Sequence, residues 1–167
     1  MESLTNELLL RSEQDQVMRN KNLADNNFWD ESIDKNNTLF LKKIIKKYGW
    51  PTISMVGQQA SDAAWLLVQH ADHDTKFQEY CLNLIKTIPK KEINQSHIAY
   101  LEDRVLVAKG LPQKYGTQFF GIGKDLKPRQ IEDKKNVDKR RAKMNLSKFA
   151  EYEKLMNETY NKKPKIS

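Results

Sequence analysis

Residues 60–89 read ASDAAWLLVQHADHDTKFQEYCLNLIKTIP, and this stretch decides the fold. Ala60, Ala63, Ala64, Trp65, Leu66, Leu67 and Val68 leave a helix with almost no polar side. A helix that is apolar all round belongs at the centre of a bundle. Phe77, Cys81, Leu84, Ile85 and Ile88 then recur at the spacing of an amphipathic helix. Pro89 ends that helix, and Asp74 is placed to cap its start. Two helices in close succession, with no sustained two-residue alternation, predict a mainly α protein.

The same periodicity extends in both directions. A first helix is predicted from Ser3 to Leu23, with Leu4, Leu8, Ser12, Asp15 and Arg19 near one face. That face begins apolar and turns polar, and Asp15 and Arg19 are spaced to form an exposed ion pair. Asp25-Asn26-Asn27 breaks the pattern. A second helix runs to Tyr48 and buries Ile33, Asn37, Phe40, Leu41, Ile44 and Ile45. Gly49 caps it and Pro51 forbids its continuation. Trp50 to Gly57 reads as a loop. Downstream, Ile98, Leu101, Val105 and Ala108 mark a helix over Ser96–Lys109. Pro112 to Ile131 is the stretch that does not read as helix, and Phe119-Phe120 with Ile122 and a Lys124-Asp125 turn suits a small hairpin. Further helices begin near Val137 and at Ser147.

The expected fold is therefore a compact, single-domain helical bundle of about six to seven helices over residues 1–160. It carries at most a small β-hairpin near Gln118–Ile131. A basic tail, 161–167, is expected to fray. Trp65, Leu67, Phe77, Leu84, Leu101 and Val105 are its expected core.

Composition narrows the class. A chain of 167 residues holds one core comfortably and two only with difficulty. No apolar run approaches the roughly 20 residues that span a bilayer, and the N-terminus lacks the basic region and cleavage pattern of a secretory signal. No membrane association is expected. Cys81 is the sole cysteine, so no internal disulfide or thiolate cage can form. A cytoplasmic location is the expectation. The net charge of +7 raises nucleic-acid binding. Much of the excess, however, lies in the pairs Lys42-Lys43, Lys46-Lys47, Lys90-Lys91 and Lys134-Lys135, which suit a solvated surface equally well. No basic motif interleaved with aromatics occurs.

Four segments concentrate polar chemistry. His70, Asp72, His73 and Asp74 sit directly after the central apolar helix, where charged groups must be solvated, paired or functional. A histidine beside a carboxylate has the parts of an acid–base pair. The segment equally suits a hydrogen-bonded helix junction. His70, His73 and Asp74 are also weak metal-ligand candidates, at a spacing that matches no zinc motif. Asp103 and Arg104 interrupt an otherwise apolar helix, as a structural ion pair or an anion site. Gln113, Tyr115, Thr117 and Gln118 surround one glycine in a loop that could present donors to a ligand or serve as an ordinary turn. Arg140 and Arg141 open a helix, and their side chains diverge by about 100°, so at most one is expected to face a shared pocket.

Through these residues the chain resembles an uncharacterised bacterial family catalogued as domain of unknown function 6624. The likeness runs from about Leu8 to Tyr152. It rests on Asp15-Gln16 with Arg19, Asp34 with Asn37, Gly49-Trp50-Pro51 with Val56-Gly57, and Gln69-His70-Ala71-Asp72 with Gln78. It continues through Asp103-Arg104, Gln113 with Tyr115-Gly116-Thr117-Gln118, and Asp138 with Arg140-Arg141. Where the family tends to carry Gly-Leu after the arginine pair, this chain has Asn145-Leu146, and Asn tolerates the left-handed conformation best after Gly. The resemblance supports the choice of pocket residues and names no reaction.

The leading expectation is a small cytoplasmic enzyme using acid–base chemistry without a metal, by hydrolysis or group transfer. His70 would be the base or acid and Asp72 its orienting partner, with His73 beside them. Arg104 and one of Arg140 or Arg141 would hold a small anionic ligand bearing a carboxylate or phosphate, with Arg19 and Asp103 as further substrate-binding candidates. Gln78, Gln113, Tyr115, Thr117 and Gln118 would orient it. The sequence implies no cofactor. The alternatives are a ligand-binding or protein-interaction module without catalysis, and a nucleic-acid-binding protein using its basic surface.

Overall fold

Small residues explain why one helix can sit at the centre of its neighbours. In the computed structural model, which describes residues 1–24, 29–121 and 125–160, α4 (Gln58–Gln69) turns Ala60, Ala63 and Ala64 inward beside Leu67 and Val68. α1 (Glu2–Ala24), α2 (Glu31–Tyr48), α3 (Ile53–Val56) and α5 (Thr75–Ile85) all pack against it. α1 contributes Leu8 and Met18, α2 contributes Leu41 and Ile45, and α5 contributes Phe77, Cys81, Leu82 and Ile85. These elements form one compact unit, Met1–Asn94. A second unit, Gln95–Ser167, contains α6 (Gln95–Ala108), a hairpin of β1 (Phe119–Phe120) and β2 (Lys127–Pro128), α7 (Val137–Lys143) and α8 (Phe149–Tyr160).

The chain is mainly α. Among the described residues the sheet structure is one antiparallel pair, Phe119 with Pro128 and Phe120 with Lys127, beside a single bridge from Gln113 to Ile131. The expected hairpin lies where the glycines and Pro128 placed it, although Ile122 and Lys124 fall outside the described residues, as does the tail 161–167. No helix among the described residues is long and apolar enough to cross a membrane.

Local signals set most helix ends. Asp74 caps α5 by accepting from the Phe77 N–H at 3.0 Å. Gly49 ends α2 at φ 76°, with its N–H on the Ile45 carbonyl. After α7, Asn145 adopts φ 56°. The Leu146 N–H returns to the Arg141 carbonyl at 3.1 Å and the Asn145 N–H to Ala142 at 3.3 Å, the double bond of a left-handed helix stop. Asn thus performs the turn that glycine would make.

Three expectations change. The Trp50–Gly57 loop contains α3, a single helical turn whose Val56 is buried. α5 stops at Ile85 rather than running to Pro89. Proline disfavours helical backbone at Ile88, and the Thr87 hydroxyl closes the end by donating to the Leu84 carbonyl at 2.7 Å. Leu84 and Trp65 are half-buried, and the buried stripe of α5 falls on Phe77, Cys81, Leu82 and Ile85. Leu67, Phe77, Leu101 and Val105 are buried as expected.

His97, near the start of α6, is 7% exposed, and burial pushes its imidazole down to about 4. The folded state therefore holds it neutral while the unfolded chain, near 6.5, takes up a proton. Its contribution is full above pH 6.5 and lost as the pH falls to 4, by up to about 3 kcal/mol. Denaturant unfolding at pH 7, 5.5 and 4.5 should show a steeper loss for the wild type than for His97→Gln. Parallel pH profiles would contradict this.

Candidate functional site

The site begins on the buried face of α1. Asp15 lies seven residues after Leu8 and three before Met18, within the core stripe, and is fully buried. The expected exposed ion pair is thus a buried one. A carboxylate there must be compensated, and the compensation converges from two helices. Arg19, one turn on, directs Nε to the Asp15 carboxylate at 3.1 and 3.3 Å. Gln16 donates to Oδ2 at 2.8 Å. His70, the residue that ends α4, brings Nδ1 to 2.9 and 2.8 Å from the two Asp15 oxygens.

The Asp15 carboxylate can only accept, so Nδ1 carries a hydrogen directed at it. The Arg19 Nε also lies 2.9 Å from Nδ1, and its hydrogen is satisfied by the same carboxylate. His70 Nε2 has no partner among the described residues. Burial pushes the Asp15 carboxyl up, but hydrogen bonding and charge from His70, with Gln16 and Arg19, outweigh it and hold Asp15 below its usual range.

His70 borders a pocket of about 230 Å³. Arg19, Trp29, Glu31, Asp34, Lys35, Asp72 and His73 complete its wall. α2 supplies Glu31, Asp34 and Lys35, and the turn after α4 supplies Asp72 and His73. Arg19 reaches Asp34 Oδ1 with Nη2 at 2.7 Å and lies 5.0 Å over the Trp29 ring. Lys35 pairs with Glu31 at 2.9 Å. Burial raises the Asp34 carboxyl in spite of Arg19.

A model of a family of unknown function, DUF6624, matches residues 2–165. The chain belongs to that family. No curated protein and no solved structure matches it.

In this DUF6624 member, several expected site residues have partners different from those the sequence suggested. The carboxylate on His70 Nδ1 belongs to Asp15, not Asp72. Asp72 accepts from Gln78 Nε2 at 3.0 Å, and that same amide nitrogen reaches the Val68 and Gln69 carbonyls at the end of α4. Gln78 is fully buried and holds the turn that carries Asp72. Asp74, a weak metal candidate, spends its carboxylate on the Phe77 N–H and on Lys42 at 2.6 Å. Among the described residues no group of three His, Cys, Asp or Glu side chains is placed to hold a metal.

The second unit gathers the remaining candidates into a network of its own. Asp103 was expected to pair with Arg104, or to sit beside an Arg104 that holds an anion. Its buried carboxylate instead accepts from the N–H groups of Lys114, Tyr115 and Thr117 and from the Thr117 hydroxyl, at 2.7 to 3.2 Å. Gln113 is fully buried and spends its amide on backbone: Nε2 donates to the Gln118 and Arg129 carbonyls, and Oε1 accepts from the Gln118 N–H. The Gln118 side chain donates to the Thr117 hydroxyl, and the Tyr115 hydroxyl to Glu102. Arg104 is half-buried on α6.

The arginine pair also works on backbone. Arg140 donates from Nε to the Lys114 carbonyl at 2.7 Å and from Nη2 to Glu132 and Asp133. Arg141, 1% exposed, donates to the Ser147 and Tyr115 carbonyls and lies 4.9 Å over the Tyr152 ring. Both therefore reach the same loop, because long guanidinium arms bring together what adjacent helical positions set apart. Gly116 lets the loop close: it sits at φ 72°, and a Cβ there would meet the Phe149 ring at 2.6 Å.

Sequence reasoning missed Asp15 as the histidine's partner, and Trp29, Glu31, Asp34 and Lys35 as pocket wall. The usable signal was the position of Asp15 within the Leu8–Met18 core stripe, where a solvated carboxylate does not belong.

Proposed function

We propose that the chain is an enzyme in which His70 acts as general base and then general acid at the pocket beside α1, α2 and α4. One observation carries this reading: a buried carboxylate, Asp15, lies on Nδ1 of a histidine that lines a pocket, and Nε2 has no partner among the described residues. A water or substrate hydroxyl placed on Nε2 would give its proton to the ring as it attacks. Asp15 would stabilise the imidazolium without itself taking the proton, and the ring would return that proton to the leaving group. Hydrolysis and group transfer both fit this sequence of events. The second unit's Asp103, Gln113, Arg140 and Arg141 are assigned to scaffolding, because their polar atoms are engaged with backbone.

Turnover screening of the full chain against ester, amide, glycoside and phosphoester panels, with His70→Asn as the matched blank, tests the reading. Activity should vanish in the variant while the fold is retained, since Arg19 and Gln16 still donate to Asp15 and the asparagine amide can take the place of the Nδ1 donor. Turnover that survives the substitution, or no turnover with any panel, contradicts it.

A further inference from the structure

We propose that the substrate presents an organic nitrogen cation, an alkylammonium or guanidinium head, to the pocket beside His70. The inference rests on the function proposed above and replaces the anionic ligand expected from the sequence. Three carboxylates line the pocket, those of Glu31, Asp34 and Asp72, and Asp15 lies behind His70. Arg19 and Lys35 oppose them beside the imidazoles of His70 and His73, and both of these long cations are already engaged. Arg19 donates to Asp15 and Asp34 and lies over Trp29, and Lys35 pairs with Glu31. An arriving carboxylate or phosphate would have to displace these partners and would face like charge on three sides.

Two features point to what the pocket would accept. Asp34 has one oxygen on Arg19 and the other without a partner among the described residues, yet its side chain is only 12% exposed. Burial, with the nearby Asp15 charge, raises its carboxyl despite the arginine, and a cation placed against it would oppose that rise. Trp29 is 46% exposed at the pocket wall, and its ring already accepts one guanidinium. Indole is the best side-chain surface for a second cation. A nitrogen head set between Asp34, Asp72 and Trp29 would meet the second oxygen of Asp34 and the negative charge of Asp72, and leave the remainder of the molecule beside His70.

The test is titration of the full chain, followed through the His70 ring and Trp29 indole NMR signals at constant ionic strength. The probes are methylguanidinium, butylammonium, inorganic phosphate, acetate and Mg²⁺. The two organic cations should give saturable shifts, weakened about tenfold in Asp34→Asn. Asp72→Asn, at an exposed position where the asparagine oxygen can still accept from Gln78, should weaken them in the same direction. Saturation by phosphate or acetate, saturation by Mg²⁺ alone, or no saturation by either organic cation up to about 100 mM overturns the proposal. His70→Asn should bind the cations within about twofold of the wild type. Retained binding without any His70-dependent turnover would leave the pocket as a cation receptor and defeat only the catalytic reading.

Discussion

Asp15→Ala is expected to cost about 3–5 kcal/mol of stability, because it strands the Arg19 guanidinium and the His70 ring beside an empty buried position. The substitution removes the acceptor for three separate donors, from Gln16, Arg19 and His70. Asp34 retains its bond to Arg19 but meets only the outer nitrogen. Asp15→Asn preserves the volume and separates catalysis from folding. An amide cannot hold Nδ1–H as a carboxylate does, nor balance an imidazolium. Any His70-dependent turnover should therefore fall about ten-thousand-fold, with a stability loss well below that of alanine. Chemical denaturation and ¹⁵N spectra of the His70 ring provide the two measurements. An Asp15→Asn protein with wild-type turnover would remove Asp15 from the mechanism. The folded state holds Asp15 below its usual range, so its stabilising contribution is present at neutral pH and lost as the pH falls through that lowered value.

Asp103→Ala should destabilise the second unit by at least about 3 kcal/mol. The carboxylate is fully buried and serves three backbone N–H groups and one hydroxyl of the 114–117 loop. Its removal leaves those donors without their acceptor beside a fully buried position, and each buried bond left unmade costs about 1–3 kcal/mol. Burial raises the Asp103 carboxyl, while the bonds from Thr117, Tyr115 and Lys114 oppose that rise. Asp103→Asn retains an acceptor oxygen and should recover part of the loss. Hydrogen exchange at the Lys114, Tyr115 and Thr117 amides gives the local readout: their protection should drop far more in Asp103→Ala than in Asp103→Asn. Unchanged protection would show that the loop is held by Arg140, Arg141 and Gln113 without the carboxylate.

The helices were legible because their determinants are local. The apolar run Ala60–Val68, the Phe77–Ile85 stripe, the Asp74 cap, the Gly49 stop and the left-handed Asn145 each depend on residues within one or two turns of themselves. The polar segment at His70–Asp74 was likewise identifiable as unusual, because charge directly after a central apolar helix needs a reason. The sequence could not choose the partners. Asp72 stands two residues from His70 and Asp15 stands 55 away. Spacing favours the near residue, yet the packing of α1 on α4 brings the distant one to the ring. The same limit explains Asp103, whose adjacent Arg104 was the obvious partner until the loop eleven to fourteen residues on closed over its carboxylate. By itself, then, the sequence determined the longer helical segments and which polar residues stand out, but not the single turn of α3. Tertiary structure alone decided which of those residues meet, because a side chain's partner is set by how helices pack, and packing depends on burial summed over the whole unit.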